Sequence, residues 1–87
     1  MQWRIVPVRE LSLRCWCEEW VAADAISGDT HLLSFPAGFI VNRLQAGPAT
    51  TAELASELKC ASQIEDETVQ ENLDALASLD LIEPCPT

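Results

Sequence analysis

Apolar residues recur with a period of two in the first third of the chain and with a helical period in the rest. Leu11, Leu13 and Cys15 alternate with Arg14 and Trp16. An alternation of this kind predicts a strand in which the two sets of side chains point to opposite faces of a sheet. Residues 11–16 are therefore predicted to form a strand.

Two further strands and a turn follow from the next segment. Residues 20–23 read as a second strand and Thr30–Leu33 as a short returning strand, and between them lies a polar stretch that contains Gly28. Glycine supplies positive φ at turns, and its polar neighbours favour local hydrogen bonds, for which we expect the side chains of Asp29 and Thr30. The pattern predicts an antiparallel meander. The preceding Trp3, Ile5 and Val8, interrupted by Pro7, predict a short edge segment.

The period changes to helical after Ser34. Ser34 is a favourable N-cap, and Pro36 suits the first turn of a helix. Gly47 and Pro48 are expected to end this helix. The spacing of Thr50 and Glu53 has the form of a capping box and opens a second helix.

A third helix is predicted by one apolar stripe at intervals of four, three and three residues. Asp66 and Glu67 supply negative charge at its amino terminus, and Asp80 stands at its end, where glycine is more usual. The extended residues 81–83 follow, and Pro84 and Pro86 are expected to end the structure. The stripe consists of Val69, Leu73, Leu76 and Leu79.

These elements predict an α+β, winged-helix-like fold, with a small three-stranded antiparallel sheet followed by three helices. The 87 residues leave room for one domain, residues 1–87. The amino terminus lacks a secretory signal, and no apolar run is long enough to span a bilayer, so we predict a cytoplasmic protein with no membrane partner.

Charge narrows the choice of partners. The chain carries 14 acidic and five basic residues, a net charge of −9. Residues 46–87 hold nine carboxylates and one cation, Lys59. Such a field repels phosphate backbones and favours basic partners. A DNA-recognition helix needs Arg or Lys, and residues 65–80 contain neither, which argues against nucleic-acid binding.

No catalytic or metal-binding pattern is visible. His31 is the only histidine, and no nucleophile and base are arranged around it in the sequence. The spacing of Cys15 and Cys17 differs from the usual zinc knuckle, and Cys60 and Cys85 are isolated, so reduced thiols are expected. The three tryptophans favour packing over an exposed peptide platform. We expect no enzyme activity, no metal and no cofactor.

One stretch carries a family resemblance. The run SGDTHLLS at residues 27–34, the Trp16 and Trp20 pair, the Phe39-Ile40 segment and the closing LDLI at residues 79–82 resemble the PqqD-like proteins, notably small members associated with HPr-kinase-related gene systems. The resemblance spans residues 11–82. It implies a sheet of three strands packed on three helices. It also implies a peptide chaperone that binds the leader of a ribosomally made precursor peptide and presents it to a modifying enzyme.

The resemblance also implies where a leader would bind. In that family the peptide adds as a strand beside the third strand and lies against the third helix, which here correspond to Thr30–Leu33 and to residues 67–79. The acidic helix favours a leader that carries Lys or Arg. The candidate peptide-binding residues are Thr30, His31, Leu32, Leu33, Gln70, Asp74 and Ala77.

Two alternatives to a leader-binding adaptor remain open at this point. One is a winged-helix DNA-binding protein, which the charge disfavours. The other is a plain protein–protein adaptor that uses the same fold without a leader peptide.

Overall fold

The computed structural model describes residues 2–16 and 19–85 and contains three helices and two small antiparallel sheets. The strands are β1 (Gln2–Ile5), β2 (Leu11–Trp16), β3 (Glu19–Asp24), β4 (Thr30–Leu33), β5 (Ala49–Thr50) and β6 (Ile82–Cys85). The helices are α1 (Phe35–Gln45), α2 (Thr51–Ser62) and α3 (Asp66–Ser78). The predicted α+β class, with strands first and three helices after them, is confirmed. Of the helices that the structure describes, none is long and apolar enough to cross a membrane.

The predicted meander is the sheet β2-β3-β4. Alternation in these strands separates an inner face, which packs toward the helices, from an outer face that is open to solvent. Ala22 and Leu33 lie on the inner face and are buried in the core, whereas Leu32 is exposed on the outer face. The strand boundaries predicted for residues 11–16 and Thr30–Leu33 match those of β2 and β4.

A second sheet, ordered β5-β1-β6, was not anticipated. The prediction of β1 as an edge segment is wrong, because β1 pairs with β5 on one side and with β6 on the other. Trp3 is buried at its centre and donates its indole N–H to Thr51 Oγ1 at 2.8 Å. Pro84 lies within the edge strand β6 opposite Trp3, and so does not end the structure.

Two predicted helix starts are confirmed. Thr50 and Glu53 form a reciprocal capping box, with Glu53 N–H donating to Thr50 Oγ1 at 3.1 Å. Ser34 occupies the N-cap of α1, although its hydroxyl makes no capping hydrogen bond. It is instead directed toward Asn72 of α3.

The end of α3 is a Schellman motif built on an aspartate. Asp80 has φ of 63°, Leu81 N–H donates to the Leu76 carbonyl at 3.1 Å, and Asp80 N–H donates to the Ala77 carbonyl at 3.0 Å. Aspartate tolerates the left-handed region better than most residues with a Cβ. The motif reverses the chain so that Leu81 and Ile82 return to the core.

The hydrophobic core lies between the inner face of β2-β3-β4, the three helices and the β1 sheet. Its fully buried members come from every layer, and Trp20, Phe35 and Phe39 pack against it. The largest fully buried side chains are those of Ile40, Leu54, Leu58, Leu73, Leu76, Leu81 and Ile82.

Trp20 occupies the space above Gly38 of α1. A Cβ built on Gly38 would lie 1.9 Å from Cγ of the Trp20 side chain, a distance that no packed structure tolerates. The glycine therefore lets the central strand β3 approach the helix. The Trp20 indole nitrogen is buried without a hydrogen-bond partner among the described residues.

A buried carboxylate joins the start of β2 and the β3–β4 turn to α3. Asp24 is 2% exposed, and its Oδ1 accepts from Ile26 N–H at 2.9 Å and from Glu10 N–H at 3.3 Å. Its Oδ2 accepts from the Ser27 hydroxyl at 3.1 Å and from Arg9 Nη1 at 3.0 Å. Burial alone would raise the pKa of Asp24, but these donors outweigh it and lower the pKa from 3.8 to about 2.

Arg9 extends this contact to the end of α3. Its Nε donates to the Asp80 carbonyl at 3.1 Å, and its Nη2 lies 3.2 Å from Asp80 Oδ2. We call Arg9, Asp24 and Asp80 the Asp24 clamp. The side chains of Asp24 and Ser27 therefore hold the β3–β4 turn, and the prediction that Asp29 and Thr30 do so is wrong.

Gly38→Ala is expected to destabilise the fold by about 2 kcal/mol, because the added methyl group displaces Trp20 from the core. Thermal unfolding measured by circular dichroism tests this. In a Trp20→Ala background the same substitution should cost nothing or stabilise α1, since alanine favours helix over glycine. An equal loss in both backgrounds would contradict the proposed contact.

Asp24→Asn is expected to lower the melting temperature at neutral pH by several degrees, because the amide cannot accept from all four donors and loses the ion pair with Arg9. The folded-state pKa of Asp24 is depressed. The contribution of the Asp24 carboxylate to the free energy of unfolding is therefore complete above pH 3.8 and disappears as the pH falls toward about 2. Melting curves of the variant should show a smaller decline over that range. Parallel wild-type and variant curves would refute the assignment.

Candidate peptide-binding surface

The free edge of β4 presents backbone groups from alternate residues. Ala23 lies opposite Thr30 in the β3–β4 register, and in the next pair Asp24 N–H donates to the Asp29 carbonyl at 2.8 Å. Bonded and non-bonded pairs alternate along an antiparallel ladder. His31 and Leu33 therefore direct their N–H and C=O groups toward β3, and Thr30 and Leu32 direct theirs outward.

The same reasoning applies to the opposite edge of the sheet. Ala25 N–H donates to the Glu10 carbonyl at 2.9 Å, which places the outward groups of β2 on Leu11, Leu13 and Cys15. Gln45 Nε2 already donates to the Leu11 carbonyl at 2.8 Å. The β2 edge is thus partly covered by α1, whereas no side-chain hydrogen bond from a described residue reaches the outward carbonyls of β4.

Two side-chain contacts tie helix α3 to the segments that flank β4. At one end Ser34 Oγ lies 3.4 Å from Asn72 Oδ1. At the other end the Asp24 clamp joins Asp80 to the start of the β3–β4 turn. Eight residues of helix rise about 12 Å, and five of strand about 16 Å, so the two elements are matched in length. The span corresponds to about five residues of an extended peptide.

The side of α3 nearest β4 is set by Asn72. Residues three and four positions apart share a helical face, so Thr68, Ala75 and Leu79 lie in line with Asn72. Thr68 and Asn72 are half-buried, Ala75 is exposed and Leu79 is 44% exposed. Asn72 Nδ2 donates to the Thr68 carbonyl at 2.7 Å, which fixes the amide with its oxygen toward Ser34.

We call the outward backbone of Thr30 and Leu32, together with this stripe of α3, the β4–α3 surface. Its helical residues were missed in the sequence because the core stripe shows only which side of a helix is buried. The flank that meets β4 is revealed by the Ser34–Asn72 contact, which joins residues 38 positions apart. The stripe consists of Thr68, Asn72, Ala75 and Leu79.

The predicted helical candidates lie on a different flank. Gln70 and Asp74 are exposed and hydrogen-bonded to each other at 3.0 Å, about 160° around the helix from Asn72. Ala77 packs partly into the core on that same flank. Asp66, further along it, faces Ala55 and Lys59 of α2 across a hollow of about 330 Å³. The structure therefore does not bring Gln70, Asp74 and Ala77 together with β4.

The candidates on β4 are divided between the two faces of the sheet. Leu33 is 5% exposed and belongs to the core, and His31 is half-buried on the same face. Thr30 is exposed, and Leu32 is 71% exposed on the outer face. Together these four residues form β4, the edge strand of the sheet β2-β3-β4.

The other side chains that could bind a metal or react chemically are scattered over the structure. Among residues 2–16 and 19–85, no three His, Cys, Asp or Glu side chains lie close enough to share a metal ion. Cys15 and Cys60 are exposed free thiols on β2 and α2. Cys17 lies outside the described residues. Of the tryptophans, Trp3 and Trp20 are packed as predicted, but Trp16 is 70% exposed.

Comparison with known proteins gives one informative match. No family model matches the chain, and no curated protein matches it. A solved structure described as "TbiB1 in Complex with the TbiA(beta) Leader Peptide" is similar, with a TM-score of 0.68 and 19% sequence identity. The match covers 97% of this chain and 99% of that chain. The chain therefore shares the complete fold of TbiB1.

Proposed function

We propose that this protein is an adaptor that binds the leader of a ribosomally made precursor peptide by strand addition at the β4–α3 surface. The observation that carries the proposal is the free edge of β4 at Thr30 and Leu32, held beside a partly apolar stripe of α3. Support comes from the likeness to TbiB1, whose solved structure is a complex with a leader peptide.

Strand addition accounts for affinity without a deep pocket. The outward N–H and C=O groups of Thr30 and Leu32 would pair with the peptide backbone, as strands do within a sheet. Alternate peptide side chains would then face the helices, beside the half-buried His31 and the stripe of α3.

The stripe also suggests which side chains fit. Ala75 leaves space between the Asn72 amide and the exposed Leu79. An apolar peptide side chain placed over Ala75 would contact Leu79, with Asn72 available to a polar atom beside it. Backbone pairing gives affinity to any extended peptide, so these contacts would supply the discrimination.

Charge favours a basic leader. Glu71 and Asp29 are exposed at the border of the surface, and the Asp80 side chain is 75% exposed beside it. The one cation at this border within the described chain is Arg9, which is already bonded to Asp24 and Asp80. A leader with Lys or Arg flanking its paired segment would therefore gain from the local field.

Presentation to a modifying enzyme completes the proposal. A peptide held over about five residues leaves the rest of the precursor free at both ends. The adaptor would then supply binding and orientation, and a separate enzyme would supply the chemistry. The absence of any evident catalytic grouping in the sequence favours this division of labour.

Ala75→Trp is expected to weaken binding of a leader at least tenfold, because the indole fills the space over which a peptide side chain would pack. The probe is a fluorescein-labelled peptide from a short precursor-like reading frame beside the gene, and the readout is fluorescence anisotropy. Gln70→Trp is the matched control, since it places the same side chain on the opposite flank. Loss of binding in the control with none in Ala75→Trp would favour the flank predicted from sequence.

Leader binding is also expected to weaken as salt rises, because screening reduces the attraction between the carboxylates and a basic peptide. Glu71→Gln should cost about two- to fivefold in affinity at low salt, in keeping with the value of one exposed charge pair. Asp74→Asn, on the other flank, should cost less. Affinity that is independent of salt would refute the electrostatic part of the proposal and leave strand addition intact.

A further inference from the structure

The outer face of the sheet β2-β3-β4 is unusually apolar for a surface that no described element covers. One-sided antiparallel sheets place polar residues outward. Here Trp16 is 70% exposed and Leu32 71% exposed, with the half-buried Val21 between their strands. The outward residues are Ser12, Arg14, Trp16, Glu19, Val21, Ala23, Thr30 and Leu32.

The register fixes how these side chains are arranged. Arg14 lies opposite Val21, and Val21 lies opposite Leu32, so the three form one row across all three strands. Trp16 lies opposite Glu19 at one end of the sheet. A shallow hollow of about 430 Å³ is lined by Arg14, Cys15 and Trp16. Because Cys15 belongs to the inner face, the hollow lies at the edge of β2, and the outer face itself offers the exposed Leu32 and Trp16.

The outer face carries charged side chains that make no ion pair with a described residue. Arg4, Arg9 and Arg43 each pair with a carboxylate. Arg14 is exposed and makes no ion pair with a described residue, and the same holds for Glu19. Among its described residues, the face therefore carries one free charge of each sign on a chain whose net charge is −9.

We propose that this face packs against the same face of a second copy of the chain, burying Trp16, Val21 and Leu32 and pairing Arg14 of each copy with Glu19 of the other. A two-fold interface requires a self-complementary patch, in which every contact occurs twice. Exposed apolar side chains together with one cation and one anion on the same face satisfy that requirement. Elsewhere two copies repel each other because of their net charge.

The size of the face sets the strength of the dimer. Three strands of six residues or fewer cover roughly 14 Å by 20 Å. Counted over both copies this is about 560 Å², which is below the standard size of specific interfaces and corresponds to a weak, transient contact. The dimer is consequently reversible, with a dissociation constant of roughly 10–100 µM. The free edge of β4 and the stripe of α3 stay open in it, because stacking covers the outer face alone.

Sedimentation equilibrium from about 5 to 500 µM, a range that brackets the expected constant, tests the proposal. The wild-type chain should pass from monomer to dimer, and Trp16→Ser should weaken the dimer at least tenfold. Ile26→Ser is the matched control, because Ile26 is 65% exposed in the β3–β4 turn and lies off this face. It should leave the constant unchanged.

Charge exchange tests the pairing itself. Arg14→Glu and Glu19→Arg should each weaken the dimer, and the double variant R14E/E19R should restore it to within about threefold. A chain that stays monomeric throughout the range overturns the proposal. A dimer that Trp16→Ser does not weaken also overturns the proposal, and so does a dimer that the double exchange fails to restore. Melting temperatures confirm that each variant is folded.

Leader binding is measured on the same variants. Trp16→Ser and the charge exchanges should leave leader affinity unchanged, because those side chains lie away from the β4–α3 surface. Failure of the dimer with normal leader binding therefore rejects the outer-face interface alone. Failure of leader binding with a normal dimer rejects the proposed function alone.

Discussion

The buried carboxylate of Asp24 is the contact on which the geometry of this small protein depends. It accepts hydrogen bonds from the residue before β2 and from the β3–β4 turn, and through Arg9 it reaches the end of α3. A buried charge is costly unless it is paired and hydrogen-bonded, and four donors meet that requirement here. Because the clamp fixes Asp80 beside the turn, it also fixes the course of α3 along β4. The position of the candidate binding surface therefore depends on the hydrogen bonds and the ion pair that the Asp24 carboxylate makes.

The second constraint is close packing between the central strand and α1. Trp20 fits only because residue 38 has no side chain. This contact sets the distance of the sheet from the helices, while the Ser34–Asn72 contact and the clamp set the position of α3. A free strand edge beside a helical stripe is then a simple and rigid way to hold an extended peptide. Such rigidity lowers the entropic cost of binding.

Local patterns predicted much of the fold but not its long-range pairings. Period-two alternation located β2, the turn around Gly28 located β4, and the spacing of Thr50 and Glu53 located the start of α2, since each signal lies within a few residues. The β1 sheet was missed because it joins Trp3 to Ala49 and Pro84, which are distant in sequence. The flank of α3 that meets β4 was assigned to Gln70 and Asp74, because neither helical rotation nor the Ser34–Asn72 contact can be derived from an apolar stripe.

The central claim is that the outward backbone of β4 receives a peptide strand, and amide hydrogen exchange with and without the leader tests it most directly. Thr30 and Leu32 should exchange freely in the unbound protein and become protected when the leader binds. The outward amides of Leu13 and Cys15 on the β2 edge serve as the internal reference and should not change. Protection that appears at Leu13 and Cys15, or nowhere along β4, would contradict the account.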